Sequence, residues 1–456
     1  MKVETPVHKN DVLTVRITDL TYAAQGVAKI EHYPLFIENA LPGEEVEIKV
    51  TKVNKTYGFA RVTKYIKVSE DRVAVAGREF TQTGIAPLQH LAYPAQLKFK
   101  QQQIENLYQK AHLDIPVAPT LGMQNPTGYR NKAQVPVRMV HGQLTTGFYK
   151  PHSHDLVPME NFFIQDPAID HAIVVVRDIL RQFNIEPYHE EKNSGVIRHI
   201  MVRRGYYSHE TMIVLITKTK KLPHAKEIVT AIQNKLPEVV SIMHNVNLKA
   251  TNVILGPHST VLAGKSTIRD TLLGLQFDIS AQSFYQVNPT QAERLYRTAL
   301  DQLHLTGQET VIDAYSGIGT ISLLLAREAK QVYGVEIVAQ AVEDAKHNAK
   351  LNHIDNAQFT LGPAEDVIQK WKDDDLKVDA LVVDPPRKGL AASFIDAVAY
   401  LKPQQMIYIS CNPATLARDL VRLQEAGYTA KSTRPVDMFP QTQHVESVTV
   451  LERAEK

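Results

Sequence analysis

Cysteine is almost absent from this chain, since Cys411 is the single cysteine among 456 residues. One thiol excludes an internal disulfide framework and is typical of a reducing compartment, so we expect a cytoplasmic protein. It also excludes a zinc or iron–sulfur site built from several cysteines of this chain, and we expect no metal-ligating residues. Composition alone leaves three roles open for Cys411: a small buried hydrophobic residue, an incidental surface thiol or a nucleophile.

Long apolar runs and a strong net charge are also lacking. No stretch approaches the roughly 18 apolar residues of a membrane span, and the first residues lack the apolar core of a signal peptide. We therefore expect no membrane partner. Lysine and arginine number 51 against 49 aspartate and glutamate, so any nucleic-acid partner must be recognised from local basic patches. The length predicts two or three domains.

Residues 1–68 predict a small all-β domain. Apolar and polar residues alternate in five or so short strands, and turn formers such as Asn39 separate them. This pattern favours a closed barrel of the OB type. Its second half mixes Tyr57 and Phe59 with basic residues, which suits either an RNA-binding surface or a solvated barrel face. The basic residues are Lys49, Lys52, Lys55, Arg61, Lys64 and Lys67.

The rest of the chain divides by its periodicity. Residues 69–94 and 123–265 mix strand-like and helical runs, which predicts an α+β domain with basic residues near strand ends. The segment 95–118 has a helical period. From residue 266 onward, apolar strands alternate with turns and helices, as in a parallel, doubly wound Rossmann-like sheet. The run "HVESVTVLER" predicts a last strand, which we expect to be antiparallel.

The stretch "VIDAYSGIGTIS" indicates a nucleotide-type cofactor site. A strand ends near Asp313, and Gly317 and Gly319 allow a tight turn against a ligand at a helix N-terminus. Glu336 ends the next strand, where a carboxylate can accept both ribose hydroxyls. Ser322 occupies the third position of a G-x-G-x-x-G pattern, which makes a dinucleotide less well supported than S-adenosylmethionine.

Two further strand ends carry candidate side chains. Asp384 and a Pro-Pro turn follow the strand "LVV", at the edge of the sheet where ligands bind. Cys411 follows the strand "MIYIS" at the same edge, with Asn412 as a helix cap and Pro413 in the first turn. The positive end of that helix favours thiolate. These signals together favour a methyltransferase in which Cys411 is a nucleophile.

Several motifs in this order resemble the S-adenosylmethionine-dependent RNA uracil-C5 methyltransferases over essentially the whole chain. They are "SFYQVNPTQAERLY", "DAYSGIGTISL", "GVEIV", "VVDPPRKG", "YISCNPATLARDL" and "DMFPQTQHVESV". The resemblance implies a class I methyltransferase domain (95–122 and 266–456), with the central α+β domain inserted into it. It implies that the barrel is a TRAM domain, as in the 23S rRNA branch of the family.

The resemblance also implies the roles of individual residues. The cofactor-binding positions match Gln286, Tyr315, Glu336 and Asp384. Cys411 matches the nucleophile that adds to C6 of uracil, and Glu446 matches the base that removes the C5 proton. The target base must be splayed out of its stack or already single-stranded. The cofactor is S-adenosyl-L-methionine and the partner is RNA, with 23S rRNA favoured over tRNA.

One stretch departs from the family pattern. Many members carry four cysteines that hold an iron–sulfur cluster after the barrel, in a CGGC-like stretch, whereas residues 83–86 here read TGIA. We therefore expect no cluster, as in the cluster-free members of Gram-positive bacteria.

Two alternatives stay open besides a tRNA substrate. An amino-group methyltransferase would explain "DPPRKG" but gives Cys411 and Glu446 no task, and a non-catalytic RNA-binding protein would bind no cofactor.

Overall fold

A computed structural model describes residues 5–151 and 153–454, so the first four residues of the expected barrel and the last two of the expected catalytic domain lie outside it. The described strands form four sheets of six, seven, two and seven strands. Among the described helices, none is both long and apolar enough to cross a membrane.

The first sheet is the expected OB-type barrel. Its order is β1-β5-β6-β4-β3-β2, with β4 and β6 parallel. The chain passes from β1 directly into β2 at the opposite edge of the sheet, which closes the barrel, and Thr18 N–H donates to the Val27 carbonyl at this joint (2.8 Å). The strands are β1 (Val12–Arg16), β2 (Asp19–Leu20), β3 (Gly26–Ile30), β4 (Tyr33–Glu38), β5 (Glu45–Val53) and β6 (Gly58–Lys67).

Two helices, α1 (Arg78–Gln82) and α2 (Tyr93–Lys110), connect the barrel to the second sheet. The segment around α1 includes residues 83–86, which read TGIA. The Gln89 side chain ties this segment together, because its amide nitrogen donates to the Gly77 carbonyl (2.6 Å) and the Thr81 hydroxyl (2.8 Å). Phe80 stacks on Phe163 with 5.2 Å between ring centroids. Hydrogen bonds and aromatic packing therefore hold this segment.

The central sheet has seven strands in the order β13-β12-β11-β10-β7-β8-β9. One face, including Val135 and Val137, packs on two helices, and the other face, including Met201 and Met212, packs on the elements that follow in the chain. The sheet is thus buried on both sides. The strands are β7 (Lys132–Val140), β8 (Gln143–Tyr149), β9 (Leu156–Pro158), β10 (Ile197–Arg204), β11 (Thr211–Thr217), β12 (Val239–Val246) and β13 (His258–Gly264), and the helices are α3 (Pro167–Gln182) and α4 (Ala225–Lys235).

The last sheet is the expected doubly wound α/β sheet. Its order is β18-β17-β16-β19-β20-β22-β21, with the first five strands parallel and β22 antiparallel to both neighbours. Before it come the hairpin β14 (Thr267–Leu272) and β15 (Leu275–Ser280), and helix α5 (Pro289–Asp301). The strands are β16 (Thr310–Ala314), β17 (Gln331–Glu336), β18 (Ala357–Leu361), β19 (Ala380–Val383), β20 (Gln405–Ser410), β21 (Tyr428–Val436) and β22 (Glu446–Arg453).

Five further helices lie between the strands of this sheet: α6 (Thr320–Ala326), α7 (Ala339–Leu351), α8 (Ala364–Asp373), α9 (Ala392–Leu401) and α10 (Pro413–Glu425). Because parallel strands all end at one edge of the sheet, the residues that follow β16, β17, β19 and β20 meet at that edge.

Helix α2 is shorter than the helical period over 95–118 predicts. It ends at Lys110, and His112 has a φ of 56°, in the left-handed region. Pro116 follows, and a proline disfavours helical geometry in the residue before it. The helix packs on the last sheet, since Ile104 and Tyr108 share a core with residues of β16 and β20.

A buried ion pair joins α2 to the segment that precedes β22. Lys100 Nζ donates to Asp437 Oδ1 (2.5 Å), and both side chains are fully buried. The Tyr93 hydroxyl donates to Asp437 Oδ2 (2.9 Å), and Lys100 also donates to the Phe439 carbonyl (3.0 Å). The carboxylate therefore has two donors, which offsets much of the cost of burying it.

We predict that Lys100→Met destabilises the protein because it leaves the Asp437 carboxylate buried without its cation. Losing one partner of a buried pair costs about 3–5 kcal/mol, so the urea midpoint falls clearly. Lys98→Met on the exposed side of the same helix is the matched control and leaves the midpoint in place. Equal midpoints for the two variants would contradict the structural role of the pair.

Candidate active site

Cys411 directly follows β20, Glu446 begins the neighbouring strand β22, and the two are close enough for the charge of Glu446 to act on the thiol. The antiparallel pairing of β20 and β22 sets Ser410 against Ser447, and the next step of this register sets Cys411 against Glu446. Cys411 is half-buried and Glu446 is 6% exposed. Asp384 follows β19, which pairs with β20 in parallel. Three candidate side chains therefore share one edge of the sheet.

The surroundings of Cys411 stabilise the neutral thiol. Burial raises its pKa to about 12, and the negative charges of Glu446 and Asp384 act in the same direction. Only Arg387 and a backbone hydrogen bond oppose this shift. The helix terminus alone would favour thiolate, as the sequence predicts, but desolvation outweighs it and the net pKa is raised.

The local structure at the start of α10 is as the sequence predicts. Pro413 is the first residue of the helix, and the Asn412 side chain accepts a hydrogen bond from the Ala414 N–H (3.2 Å). This cap fixes the turn that carries Cys411 at the end of β20.

Both carboxyl groups of the edge favour protonation. Burial raises the pKa of Glu446 well above its ordinary value, Asp384 raises it further, and Arg387 lowers it. Burial also raises the pKa of Asp384, to about 7. Among the described residues, neither carboxyl group has a hydrogen-bond donor. Burial therefore favours the neutral form of Glu446, which becomes a base only after losing its proton.

Helix α10 holds the loop that carries Arg387. The Arg387 carbonyl accepts a hydrogen bond from Asn412 Nδ2 (2.9 Å), and Asp419 Oδ2 accepts one from the Leu390 N–H (2.8 Å). Gly389 has a φ of 75°, and a Cβ there would lie 2.4 Å from Asp419 Oδ2. Both the positive φ and the lack of room for a Cβ require glycine at this position, and the loop that carries Arg387 is held in place.

The glycine turn after β16 leaves room for a ligand beside Glu336. The Glu336 carboxylate accepts hydrogen bonds from the N–H groups of Gly317 (3.0 Å) and Val338 (2.8 Å). Since a carboxylate has about four acceptor positions, others remain for hydroxyl groups. A Cβ on Gly317 would meet no atom within 4 Å, and the side chains of Ile337 and Val338 are exposed. Open space, a carboxylate and apolar side chains fit an adenosine-type cofactor.

Ser322, at the third glycine position of the dinucleotide pattern, has a structural role. Its hydroxyl donates to Asp313 Oδ2 (2.5 Å), and both side chains are fully buried. Burial raises the pKa of Asp313 to about 7, and the neighbouring carboxylates of Asp384 and Glu336 act in the same direction. Asp313 therefore lies close enough to Asp384 and to Glu336 to be affected by both charges.

Tyr296 connects the remaining candidate residues and was missed by the sequence analysis. Its buried side chain on α5 is next to Gln286 and Thr320, which lower its pKa, while burial, Asp384 and Glu446 raise it above the ordinary value. The structure thus brings Gln286, Asp384, Cys411 and Glu446 into one group. Tyr296 closes the motif "SFYQVNPTQAERLY", but its position on the apolar face of a helix is also typical of a core residue.

Tyr315 and Glu336 belong to the neighbouring part of the edge. Tyr315 follows β16 with a φ of 74°, and its ring packs on Phe394 at 5.7 Å rather than on Cys411. Arg387 was also missed, although it lies within "DPPRKG"; only its proximity to Cys411 and Glu446 reveals its importance.

Across residues 5–151 and 153–454, no group of three or more His, Cys, Asp or Glu side chains is arranged to hold a metal ion.

A sheet of this topology, with a glycine turn and an acidic end of its second strand, fits an enzyme that binds an adenosine-type cofactor such as S-adenosylmethionine. The sequence model of the tRNA (Uracil-5-)-methyltransferase family matches residues 92–454, and that of the TRAM domain matches residues 6–63. The chain belongs to this family of RNA uracil-5 methyltransferases.

Relatives and a solved structure agree with this assignment. Proteins named as uncharacterized RNA methyltransferases are 61% identical in Lactiplantibacillus plantarum (99% of this chain, 100% of that one) and 56% identical in Enterococcus faecalis (98% and 99%). The crystal structure of Pyrococcus abyssi tRNA (uracil-54, C5)-methyltransferase in complex with S-adenosyl-L-homocysteine has a TM-score of 0.77. It is 26% identical, and the match covers 96% of this chain and 99% of that one.

We predict that native Cys411 reacts slowly with iodoacetamide at pH 8. Its pKa of about 12 lies about three units above the ordinary value, so the thiolate fraction is about a thousandfold lower than in the unfolded chain. The rate should rise with pH without a plateau below pH 10. Because Arg387 lowers the pKa, Arg387→Ala slows the reaction further, whereas Lys388→Ala on the same loop has a smaller effect. Mass spectrometry measures the rate, and a plateau near pH 8 would contradict the structure.

Proposed function

We propose that the protein methylates C5 of specific uridines in 23S rRNA through a covalent adduct between Cys411 and C6. The observation that carries this proposal is the register that sets Cys411 against the buried carboxyl group of Glu446 at the ligand-binding edge. A nucleophile and a proton acceptor are needed on the same pyrimidine ring, at adjacent carbons, and the two side chains are neighbours across one strand pair.

The chemistry assigns a separate task to each side chain. Cys411 gives up its thiol proton to solvent, and the resulting thiolate adds to C6 and gives an enolate with electron density at C5. S-adenosylmethionine supplies the methyl group that this carbon takes up. The ionised Glu446 then removes the C5 proton, and the electron pair of that C–H bond re-forms the C5–C6 double bond and expels the thiolate. Arg387 supports both residues, because it favours their charged forms.

In this proposal, four residues hold the cofactor. Glu336 accepts hydrogen bonds from the ribose hydroxyls beside the open space at Gly317, and Tyr315 lines the same turn. Gln286 and Asp384 are both near Tyr296, and in this proposal they lie on the side where the methyl group must be presented. Residues 95–122 and 266–456 form the catalytic domain in this proposal, and the inserted central domain is 69–94 with 123–265.

The barrel of residues 1–68 and the central domain would hold the RNA. The barrel favours 23S rRNA, since a TRAM domain marks that branch of the resemblance. The second candidate is a tRNA, because the P. abyssi enzyme that matches 96% of this chain is named as a tRNA (uracil-54, C5)-methyltransferase. RNA from a deletion strain distinguishes the two: 5-methyluridine disappears from 23S rRNA under the proposal and from tRNA under the alternative. A plasmid copy carrying Cys411→Ala should not restore it.

We predict opposite adduct yields for the two proposed catalytic residues. Glu446→Gln cannot remove the C5 proton, so a covalent protein–RNA band accumulates on a denaturing gel with S-adenosylmethionine and unmethylated RNA. Cys411→Ala forms no such band.

Glu452→Gln, on the same strand but beside Lys431, is the matched control and turns over normally. If Cys411→Ala keeps its activity, the covalent route is wrong and an amino-group methyltransferase becomes the better explanation. If no band forms with Glu446→Gln while methylation is lost, Glu446 has another role.

A further inference from the structure

Three cationic side chains converge where the central sheet packs on the catalytic domain. Arg203 on β10 is paired directly with Lys132 on β7, and Arg130 lies two residues before Lys132. Like charges placed directly opposite on neighbouring strands are destabilising. Burial, together with the charges of Arg203 and Arg130, lowers the pKa of Lys132 to about 7. The protein therefore keeps a repulsive arrangement at this junction.

These cations lack the acidic partners that buried charges ordinarily have. Arg203 is 2% exposed, and one of its nitrogens donates to the Ser283 carbonyl (2.8 Å). Its Nε and Nη1 atoms are buried without any hydrogen-bond partner. In the described part of the chain, the Lys132 ammonium has neither an ion pair nor a hydrogen bond. Uncompensated buried charge is costly, so a bound anion is the arrangement that would relieve it.

Nearby arginines show that the fold does satisfy such groups elsewhere. Arg204, adjacent to Arg203, forms an ion pair with Asp166 (2.8 Å). Arg198 on the same strand donates to the carbonyls of Asn247 and Thr251. Arg198 and Arg204 each have one buried nitrogen, Nε, without a partner, whereas Arg203 has two and Lys132 has no partner among the described residues.

The cluster adjoins the proposed active site. Asn131, between Arg130 and Lys132, donates from its side chain to the Gln286 carbonyl (3.2 Å). Arg130 and Arg387 both lower the pKa of His444, so both are close to the segment that leads into β22. Positive charge thus extends from Arg387 beside Cys411 to Arg203. Arg130 and Lys132 are only half-buried, which leaves them accessible to a ligand.

We propose that Arg130, Lys132 and Arg203 form a subsite for one backbone phosphate of the RNA, next to the target uridine. Arg130 and Lys132 contact the phosphodiester, and Arg203 contributes its charge from behind them. A nucleotide taken out of its stack needs its backbone held, and phosphate contacts position a strand without reading its sequence. This inference rests on the proposed function, since it names how that site holds its RNA.

The test measures binding of a fluorescent 12-nucleotide oligouridylate as a function of KCl concentration. Neutralising one phosphate contact on single-stranded RNA makes the slope of log K against log salt shallower by about 0.7. Lys132→Met should show this change and bind roughly 3–10-fold more weakly at low salt. Lys132→Arg should keep the slope. Lys226→Met, an exposed lysine on α4 across the sheet, is the matched control and should behave as wild type.

Unfolding separates a binding role from a structural one. Lys132→Met removes a repulsive charge, so its thermal midpoint should equal or exceed that of wild type. An unchanged salt slope, or a slope change shared by Lys226→Met, overturns the subsite. Methylation by wild type is measured separately: if wild type methylates but the slope is unchanged, only the subsite fails. If wild type methylates no RNA while Lys132→Met has the shallower slope, the proposed function fails and the anion site remains.

Discussion

The antiparallel pairing of β20 with β22 is the constraint on which the site depends. Since side chains alternate between the two faces of a strand, a shift of one residue would turn Glu446 away from Cys411. The register is fixed from both sides, because β22 also pairs with β21, where Val436 lies against Glu446. The segment between these strands is anchored as well: Gln96 accepts a hydrogen bond from the Gln441 N–H (3.0 Å), and Tyr129 donates to the Pro440 carbonyl (3.0 Å).

The same burial that orders the site suppresses charge within it. The thiol and both carboxyl groups favour their neutral forms, and Arg387 is the cation that favours the charged forms of Cys411 and Glu446. The neutral forms avoid the desolvation cost of three neighbouring anions. In the proposed reaction, the positive charge of Arg387 would favour the ionised forms that the two residues need. The hydrogen bonds between α10 and the loop that carries Arg387 therefore fix the position of its charge.

How much the sequence predicts depends on whether a feature is local. The turn at Gly317, the cap at Asn412 and the strand ends with Asp384 and Cys411 follow from neighbouring residues, and the structure has them as expected. The pKa of Cys411 could not be predicted, because the sequence records the helix terminus but not the depth of burial. The apolar period over 95–118 predicts too long a helix α2, because the period continues past His112, where the backbone is left-handed.

Contacts between distant elements were the other limit. In the sequence, Tyr296 has the position of a core residue on a helix. Only the packing of α5 against the sheet edge shows that it is near Asp384 and Glu446. The cluster of Arg130, Lys132 and Arg203 reads as separate basic residues near strand ends until the pairing of β7 with β10 is known. The sequence thus supplies the candidate residues, while the register of distant strands determines which of them act together.

The ion pair of Lys100 with Asp437 has a consequence for the order in which the chain matures. The two residues are 337 positions apart. At a synthesis rate of about 5–20 residues per second, Asp437 is made roughly 17–67 seconds after Lys100. During this interval α2 cannot dock, because docking would bury an unpaired ammonium. The central domain, with a hydrophobic core of its own, has time to fold first. The edge with Cys411 and Glu446 therefore requires residues made late in synthesis, whereas the core of the central domain does not.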